Sequence, residues 1–228
     1  MPTFKRPGAY LLRIVMKDIV IIGGGASGAM AAWFAAEKGL AVTLIDARDR
    51  GTYHPCSGVF PLHSFKGFPP LPDSAFERDM VTMKPMSPTG SAIVDGREFG
   101  TTLGKIILRS TFDRLMLDAA EKKGAEIVDR TLVKKVEITG DRAMVTCEGK
   151  DCPERRIEAS IAFLATGTSG FHLNDQLGIE KPPVVQSVIF EYECAEHHVE
   201  DVLSSGAYHY YVNKRVSSIG PFWITCRK

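Results

Sequence analysis

The hydrophobic positions near the start of the chain follow the pattern of a strand, a turn, a helix and a second strand. Residues 18–23 contain the continuous apolar run Ile19 to Ile22, in which every residue is β-branched, and such a run is typical of a strand buried on both faces of a parallel sheet. Residues 26–38 are rich in alanine and predict a helix, and Gly39 is placed to end it. A second apolar run at 41–45 predicts the next parallel strand. Together these elements predict a βαβ unit that closes at Asp46.

The next part of the chain lacks a regular hydrophobic period. Residues 47–90 are rich in proline, glycine and polar residues, and the pattern predicts an irregular insertion with one short helix near Asp73–Asp79. A stretch of this length without a clear period is usually functional. Regular patterns return with a strand at 105–109 and a helix at 111–123, for which Ser110 or Thr111 is the expected cap.

Most of the elements predicted in the second half of the chain are strands. Gly124 should end the preceding helix, and a short strand at 125–128 is expected next. Alternating residues in 131–138 and 142–148, separated by Gly140-Asp141, predict a β-hairpin. A further core strand is predicted at 155–164. After Pro182-Pro183, strands are predicted at 184–194, 207–213 and 216–225.

These elements predict an α/β fold, namely a Rossmann-like domain with a parallel sheet and a β-hairpin insertion, followed by the start of a β-rich domain. The expected divisions are an N-terminal extension at 1–15, the Rossmann-like domain at 16–180 and a partial β-rich domain at 181–228. An insertion at 58–104 interrupts the Rossmann-like domain. Because Met16 opens directly on the first strand, the extension is expected to have little structural role.

Charge, hydropathy and cysteine content indicate which partners and sites to expect. The 228 residues have a formal net charge of +1, so nothing in the balance of charge favours nucleic acid as a partner. The sequence contains no run of 18 or more apolar residues, so it predicts no transmembrane helix. The five cysteines form no C-x-x-C pair, so no metal site is expected, and reduced thiols in a cytoplasmic protein are the expectation.

The turn after the first strand, Gly23-Gly24-Gly25-Ala26-Ser27-Gly28, matches the dinucleotide fingerprint G-x-G-x-x-G. Gly23 permits the tight turn, Gly25 lets the backbone approach a pyrophosphate, and Gly28 lets the helix pack closely on the strand. The N–H groups at the helix start, including those of Ala26 and Ser27, attract a phosphate. Asp46 lies 18 residues past Gly28, where a carboxylate accepts hydrogen bonds from a ribose diol.

FAD and NAD both fit this unit, and three features favour FAD. The unit lies at the start of the core chain. A second glycine-bearing loop, Ala165-Thr166-Gly167, follows a predicted strand about 120 residues after Asp46. The sequence Arg109-x-x-Phe112-Asp113-Arg114 begins a helix between the two.

These motifs, together with Cys56-Ser57-Gly58 and Leu177-Gly178-Ile179, resemble the geranylgeranyl reductase family of FAD-dependent oxidoreductases, which shares its fold with p-hydroxybenzoate hydroxylase. The resemblance covers roughly residues 17–190. It implies that the Rossmann-like domain at 16–180 is an FAD-binding domain and that the β-rich stretch at 181–228 is part of a substrate domain. It implies reduction of isoprenoid double bonds of a lipid or prenyl substrate, with FAD carrying a hydride supplied by NAD(P)H or another reductant. A lipid substrate adds the expectation of peripheral contact with a membrane.

The resemblance also implies roles for individual residues. Arg48 would lie near the adenosine or pyrophosphate, and Arg109 would contact the FAD phosphates. Cys56 would approach the isoalloxazine ring and is the one candidate catalytic residue. The expected cofactor-binding residues are Gly23, Gly25, Ala26, Ser27, Gly28, Asp46, Ala47, Arg48, Cys56, Ser57, Arg109, Thr166 and Gly167.

Two departures from the family pattern leave other interpretations open. Many members carry Asp-Gly where this chain has Thr166-Gly167. The run Gly220 to Ile224 resembles the beginning of an aromatic motif, yet the chain stops at Lys228, so the substrate domain is expected to be truncated. The alternatives are a flavin-dependent aromatic monooxygenase and a non-catalytic FAD-binding subunit. Cys56 also fits a small buried hydrophobe, and Arg109 fits a surface arginine at a helix start.

Overall fold

The computed structural model describes residues 15–150, 152–203, 206–217 and 220–227. Most of the predicted N-terminal extension therefore lies outside the described residues. The α-helices are α1 Ala26–Glu37, α2 Arg109–Lys122, α3 Phe171–Leu177 and α4 Glu196–Leu203. The strands are β1 Val15–Ile22, β2 Val42–Ile45, β3 Val59–Pro61, β4 Arg78–Met80, β5 Thr82–Ser87, β6 Gly90–Ser91, β7 Val94–Asp95, β8 Gly104–Ile106, β9 Glu126–Val128, β10 Thr131–Thr139, β11 Arg142–Gly149, β12 Cys152–Leu164, β13 Ala207–Tyr211 and β14 Phe222–Thr225. Short 3-10 turns lie at Leu62–Phe65, Asp73–Ala75, Gly96–Phe99 and Gly167–Gly170.

The chain divides into two compact units, each built from two separate stretches. The first unit comprises residues 1–50 and 117–182, and the second comprises residues 51–116 and 183–228. The domain boundaries expected from the sequence stay a prediction. No helix among the described residues has the length and apolar character needed to cross a membrane.

The first unit contains a six-stranded sheet in the order β10-β11-β12-β1-β2-β9. Strand β1 pairs in parallel with β12 on one side and with β2 on the other, and β2 pairs in parallel with β9. The predicted hairpin is present as β10 and β11, and β11 continues antiparallel into β12. The predicted α/β class with a parallel sheet and a hairpin insertion is confirmed.

The core of this unit follows from the apolar runs in the sequence. Helix α1 buries Gly28, Ala29, Ala32 and Ala36, and the small side chains let it lie close to β1 and β2. The other core cluster joins the parallel strands, the hairpin and α3. Its buried members are Val20, Ile22, Ile45, Val133, Val136, Val145, Cys147, Ile157, Ala159 and Leu173.

The second unit contains two sheets of short strands, and one of these sheets joins segments that lie far apart in the sequence. One sheet has the order β14-β13-β5-β6, with β7 also paired to β5, and a three-stranded sheet has the order β3-β8-β4. Strand β13 pairs in parallel with β5, so the C-terminal stretch and the insertion form one sheet. The same unit contains an aromatic cluster, in which the ring centroid of the fully buried Phe112 lies 4.8 Å from that of Phe60 on β3 and 5.7 Å from that of Phe68.

Three local predictions were wrong. The strand predicted at 184–194 is absent, since the chain from 179 to 195 has neither helix nor strand and then forms α4. The helix predicted near Asp73–Asp79 is a single 3-10 turn followed by β4. Helix α2 begins at Arg109 rather than after a cap at Ser110 or Thr111.

A polar cluster holds the sheet of the first unit together. The Glu126 carboxylate on β9 accepts a hydrogen bond from Thr43 Oγ1 at 2.9 Å. It forms ion pairs with Lys17 Nζ at 2.9 Å and with Arg155 Nη2 at 2.8 Å. Partial burial opposes the charge of Glu126, but its hydrogen bonds to Lys17, Arg155 and Thr43 outweigh burial and lower its pKa from 4.5 to about 2.

We expect Glu126→Gln to lower the free energy of unfolding by about 1–2 kcal/mol at neutral pH, discounted because the side chain is 37% exposed. A depressed carboxyl pKa contributes stability that is complete above pH 4.5 and is lost as the pH falls towards about 2. The wild-type chain should therefore lose more stability over this range than the variant does. Urea unfolding at a series of pH values measures the difference.

The matched control is Glu137→Gln, because Glu137 forms an exposed ion pair with Lys135 at 2.6 Å. An exposed pair contributes about 0–1 kcal/mol. If wild type and Glu126→Gln lost stability in parallel between pH 4.5 and about 2, the proposed role of the cluster would be wrong.

Candidate functional site

The ends of three neighbouring strands define the candidate site of the first unit. The Gly23 N–H donates to the Ile45 carbonyl at 2.8 Å, and the Ala165 N–H donates to the Ile22 carbonyl at 2.8 Å. Because β1, β2 and β12 are parallel, their carboxyl ends share one edge of the sheet. Ligands of open parallel sheets bind outside this edge.

The glycine-rich turn excludes side chains at its first and last positions. Gly23 has a φ of +109°, and a Cβ there would lie 2.4 Å from the carbonyl oxygen of Ala165. A Cβ on Gly28 would lie 1.8 Å from the carbonyl oxygen of Gly23. Both contacts are far shorter than any real Cβ contact, and both are with backbone. The turn, the start of α1 and the loop after β12 therefore touch through their backbones.

The start of α1 offers uncapped N–H groups. Gly25 precedes the helix in an extended conformation, with no capping side chain, and no acidic residue lies in the first turn. Ala26 is half-buried and Ser27 is exposed. The first N–H groups of a helix have no partner within the helix and carry a partial positive charge, so this end suits a phosphate.

Asp46 closes β2 and is 8% exposed. Its Oδ2 accepts a short hydrogen bond from the Gly24 N–H, and its Oδ1 accepts one from the Arg48 N–H at 2.7 Å. The Arg48 guanidinium also donates to the carboxylate, from Nε at 3.3 Å and from Nη2 at 3.4 Å. Asp46 therefore fixes the glycine turn and holds Arg48, whose side chain is 44% exposed.

The loop after β12 completes this edge. Thr166 has helical backbone angles, and the exposed Gly167 has a φ of +59°. Gly170 ends the following 3-10 turn, and a Cβ there would lie 2.1 Å from Thr166 Cβ. Tight packing therefore sets the path of the loop. Ala47 is also exposed, directly after Asp46.

The loop that contains Cys56 belongs to the second unit. Cys56 Sγ accepts a hydrogen bond from the Gly58 N–H at 3.5 Å, and Ser57 Oγ accepts one from the Val59 N–H at 3.5 Å. Gly58 has a φ of +71°, and a Cβ there would lie 2.2 Å from the carbonyl oxygen of Ile107. The Ile107 N–H donates to the Gly58 carbonyl at 2.9 Å, which fixes the loop beside the end of β8.

Arg109, the first residue of α2, lies close to Cys56 within this unit. Its Nε donates to Asp113 Oδ1 at 2.7 Å, and Asp113 is 6% exposed. Burial lowers the pKa of Arg109, but the hydrogen bond and charge of Asp113, together with a weaker interaction with Cys56, raise it overall. The guanidinium is therefore held charged beside the thiol.

The structure thus brings the predicted residues together in two groups. The group in the first unit comprises Gly23, Gly25, Ala26, Ser27, Gly28, Asp46, Ala47, Arg48, Thr166 and Gly167, and the group in the second unit comprises Cys56, Ser57 and Arg109. The contacts of Gly24 with Asp46 and of Ala165 with Gly23 were not predicted from the sequence. The pairing of Asp113 with Arg109 was not predicted either, although the four-residue spacing on a predicted helix was a usable signal.

Comparison with known proteins agrees with these features. A family model described as FAD-dependent oxidoreductase matches residues 18–66. The chain is 27% identical over 175 residues to a geranylgeranyl diphosphate reductase of Rhodobacter capsulatus, covering 77% of this chain and 42% of the relative. It is 26% identical over 215 residues to a digeranylgeranylglycerophospholipid reductase of Methanoculleus marisnigri, covering 91% of this chain and 52% of the relative.

A solved structure shares the fold. A geranylgeranyl bacteriochlorophyll reductase-like protein of Thermoplasma acidophilum matches with a TM-score of 0.74 and 16% identity, covering 95% of this chain and 55% of that chain. At this identity the likeness shows the fold alone. The chain spans about half the length of the relatives it matches.

The resemblance predicted from the sequence is confirmed by these matches. FAD, rather than NAD, is the dinucleotide that the family match indicates for the fingerprint. The chain is therefore similar to geranylgeranyl reductases and has the fold of FAD-dependent oxidoreductases.

Proposed function

We propose that this chain binds FAD at the glycine-rich edge of its first unit and reduces carbon–carbon double bonds of an isoprenoid lipid or prenyl substrate. The observation that carries the proposal is the turn Gly23–Gly28, packed against both Asp46 and Ala165. The names of the relatives supply the substrate class, and they favour reduction over aromatic monooxygenation.

The residues of the first unit suit the parts of FAD. The N–H groups at the start of α1 would bind the pyrophosphate, since Gly25 leaves them uncapped. Asp46 would accept the hydroxyls of the adenosine ribose in place of the Arg48 guanidinium, whose two contacts with it are long. Arg48 would then be free to reach the phosphates or the adenine. Ala47, Thr166 and Gly167 would line the same edge with backbone.

Bound FAD would supply the hydride that reduces the double bond, after its own reduction by NAD(P)H or another reductant. The residues of this chain would bind and orient the reactants. In the second unit, Arg109 would provide a fixed positive charge for the FAD phosphates, because Asp113 orients it. Cys56 would approach the isoalloxazine ring.

The first experiment is reconstitution of the purified chain with FAD, followed by its visible spectrum and chromatography of the released nucleotide. We expect one FAD per chain. Failure to take up FAD, with NAD bound instead, would contradict the cofactor assignment.

Turnover is tested separately, because the chain spans only about half of its relatives. The reduced holoprotein is incubated with a geranylgeranyl lipid, and mass spectrometry should show a gain of two hydrogens per reduced double bond. FAD binding without such a gain would support the non-catalytic FAD-binding subunit instead.

Isoprenoid lipids reside in membranes, so the proposed enzyme would meet its substrate at a membrane surface. We expect the holoprotein to float with vesicles that contain a geranylgeranyl lipid. Equal flotation with vesicles that lack this lipid would count against recognition of the substrate.

A further inference from the structure

One of the two residues between β9 and β10 has a backbone conformation that is unusual for its type. Arg130 has a φ of +50°, and it is the only residue other than glycine in the described part of the chain with a positive φ. In this left-handed conformation the Cβ of an L-residue crowds a backbone carbonyl, so glycine adopts it at the lowest cost. Such conformations persist where the surrounding structure fixes them, and they cluster at binding sites.

Hydrogen bonds to the segment after β2 fix this conformation. The Arg130 N–H donates to the Arg48 carbonyl at 3.1 Å, and the Thr131 N–H donates to the Asp46 carbonyl at 2.9 Å. The Asp46 N–H in turn donates to the Val128 carbonyl at 3.0 Å. Arg130 therefore lies beside the backbone of residues 46–48, at the same edge of the sheet as the glycine-rich turn.

The ion pair of Arg130 does not account for an arginine in this conformation. The Nε atom of Arg130 lies 3.1 Å from Asp49 Oδ1, and the two side chains are 57% and 70% exposed. An exposed pair of this kind contributes little to stability, whereas the left-handed backbone has a cost. The exposed guanidinium is therefore available to a ligand at this edge.

The order of the strands places the adenine of the proposed FAD near Arg130. Strands β1, β2 and β9 follow one another along the edge, and neighbouring strands lie about 4.8 Å apart. With the pyrophosphate at the glycine-rich turn after β1 and the ribose at Asp46 after β2, the adenine would come next, at the end of β9. Arg130 follows that end by two residues.

We propose that Arg130 binds the adenine of FAD by stacking its guanidinium on the face of the ring. The guanidinium is planar and always charged, and it stacks on aromatic rings through π-stacking and cation–π attraction. A glycine at this position would relieve the backbone but would leave the adenine without this contact. The proposal rests on the proposed binding of FAD in the first unit, but it does not depend on turnover.

Titration with AMP and with ribose 5-phosphate tests the contact, because ribose 5-phosphate lacks the adenine. We expect Arg130→Gln to bind FAD and AMP about tenfold more weakly than the wild type does, and to bind ribose 5-phosphate equally well. The matched control is Arg142→Gln, because Arg142 lies at the start of β11 with its side chain 40% exposed. This control should bind all three ligands as the wild type does. Equal weakening of AMP and ribose 5-phosphate in Arg130→Gln would mean that Arg130 attracts the phosphate, which overturns the proposal.

Two further variants separate stacking from charge and from a structural role. Arg130→Lys keeps the charge without the planar group, so it should bind FAD nearly as weakly as Arg130→Gln does. Arg130→Gly suits the left-handed backbone, so its midpoint of urea unfolding should not fall, although its FAD affinity should fall about tenfold. A purely structural role would leave the FAD affinity of Arg130→Gly unchanged. That result, or full FAD affinity in Arg130→Lys, overturns the proposal.

The same titrations distinguish this proposal from the proposed function. If the wild type takes up FAD and Arg130→Gln binds it equally well, the role of Arg130 is wrong and the cofactor assignment stands. If FAD binding depends on Arg130 in a chain that reduces no double bond, the role of Arg130 is supported and the proposed turnover is wrong. If the wild type binds neither FAD nor AMP, both are wrong.

Discussion

Substitution of Gly28 by alanine is expected to weaken FAD binding and to lower the stability of the first unit. The new Cβ would lie 1.8 Å from the carbonyl oxygen of Gly23 and 3.2 Å from Ala165 Cβ. Neither neighbour is a flexible side chain, so the start of α1 must move away from the turn. Overpacking of this kind costs about 1–3 kcal/mol. Because about 1.4 kcal/mol corresponds to a tenfold change in affinity, we expect FAD to bind at least about tenfold more weakly.

Fluorescence titration with FAD and urea unfolding of the same preparations measure the two effects. The matched control is Gly90→Ala, because a Cβ at Gly90 would meet nothing within 4 Å. This variant should bind FAD as the wild type does. Unchanged FAD affinity in Gly28→Ala would mean that the nucleotide does not bind at this turn.

Substitution of Asp46 by alanine is the second change for which we expect a large effect. It removes the acceptor of the buried Gly24 N–H and of the Arg48 N–H. Leaving buried donors unpaired costs about 1–3 kcal/mol. If Asp46 also binds the ribose, the wild-type chain should bind ADP about tenfold more tightly than 2′-deoxy-ADP, and the variant should bind both equally weakly.

The comparison of ADP with 2′-deoxy-ADP separates the two roles of Asp46. If Asp46 only supports the turn, its loss should weaken the binding of ADP and of 2′-deoxy-ADP equally. If Asp46 also accepts a hydrogen bond from the ribose, its loss should weaken the binding of ADP more, because only ADP has the 2′-hydroxyl. Asp49→Ala is the control, because Asp49 is 70% exposed and forms a surface ion pair with Arg130 at 3.1 Å. If Asp46→Ala still bound ADP more tightly than 2′-deoxy-ADP, another group would have to bind the 2′-hydroxyl of the ribose.

The parts of the fold that the sequence predicted well are those with strong local signals. Continuous apolar runs gave β1, β2 and the end of β12 to within a few residues. Gly39 and Gly124 were expected to end helices, and both have a positive φ, at +79° and +101°. The turn Gly140-Asp141 was a sufficient signal for the hairpin.

The failures arose where a strand depends on its partners. The segment 184–194 has strand-like alternation, but the hydrogen bonds of a strand come from a neighbour, and propensity does not create one. Short strands such as β3 and β4 were not predicted for the converse reason. Each is three residues long, which is too short to show a period, and each is fixed by pairing with β8.

In the candidate site too, residues marked by a local sequence pattern were predicted, whereas contacts between residues far apart in the sequence were not. The fingerprint and Asp46 form a local pattern with known spacing, so they were found. The proximity of Cys56 and Arg109 depends on β3 pairing with β8 and on Gly58 packing against Ile107. The clamp of Arg50 on Asp118 and Glu121, at 2.9 and 2.7 Å, also joins residues far apart in sequence.

The position of β1 in the sheet has a consequence for synthesis of the chain. Val15 pairs with Ile157 and Ile22 with Leu164, about 140 residues later. At about 5–20 residues per second, the ribosome needs roughly 7–28 s to make the intervening chain. During that interval one side of the first strand has no partner, although the fingerprint and α1 have already emerged. The nucleotide-binding edge therefore forms late in translation, and the apolar end of β1 stays without this neighbour until β12 has been made.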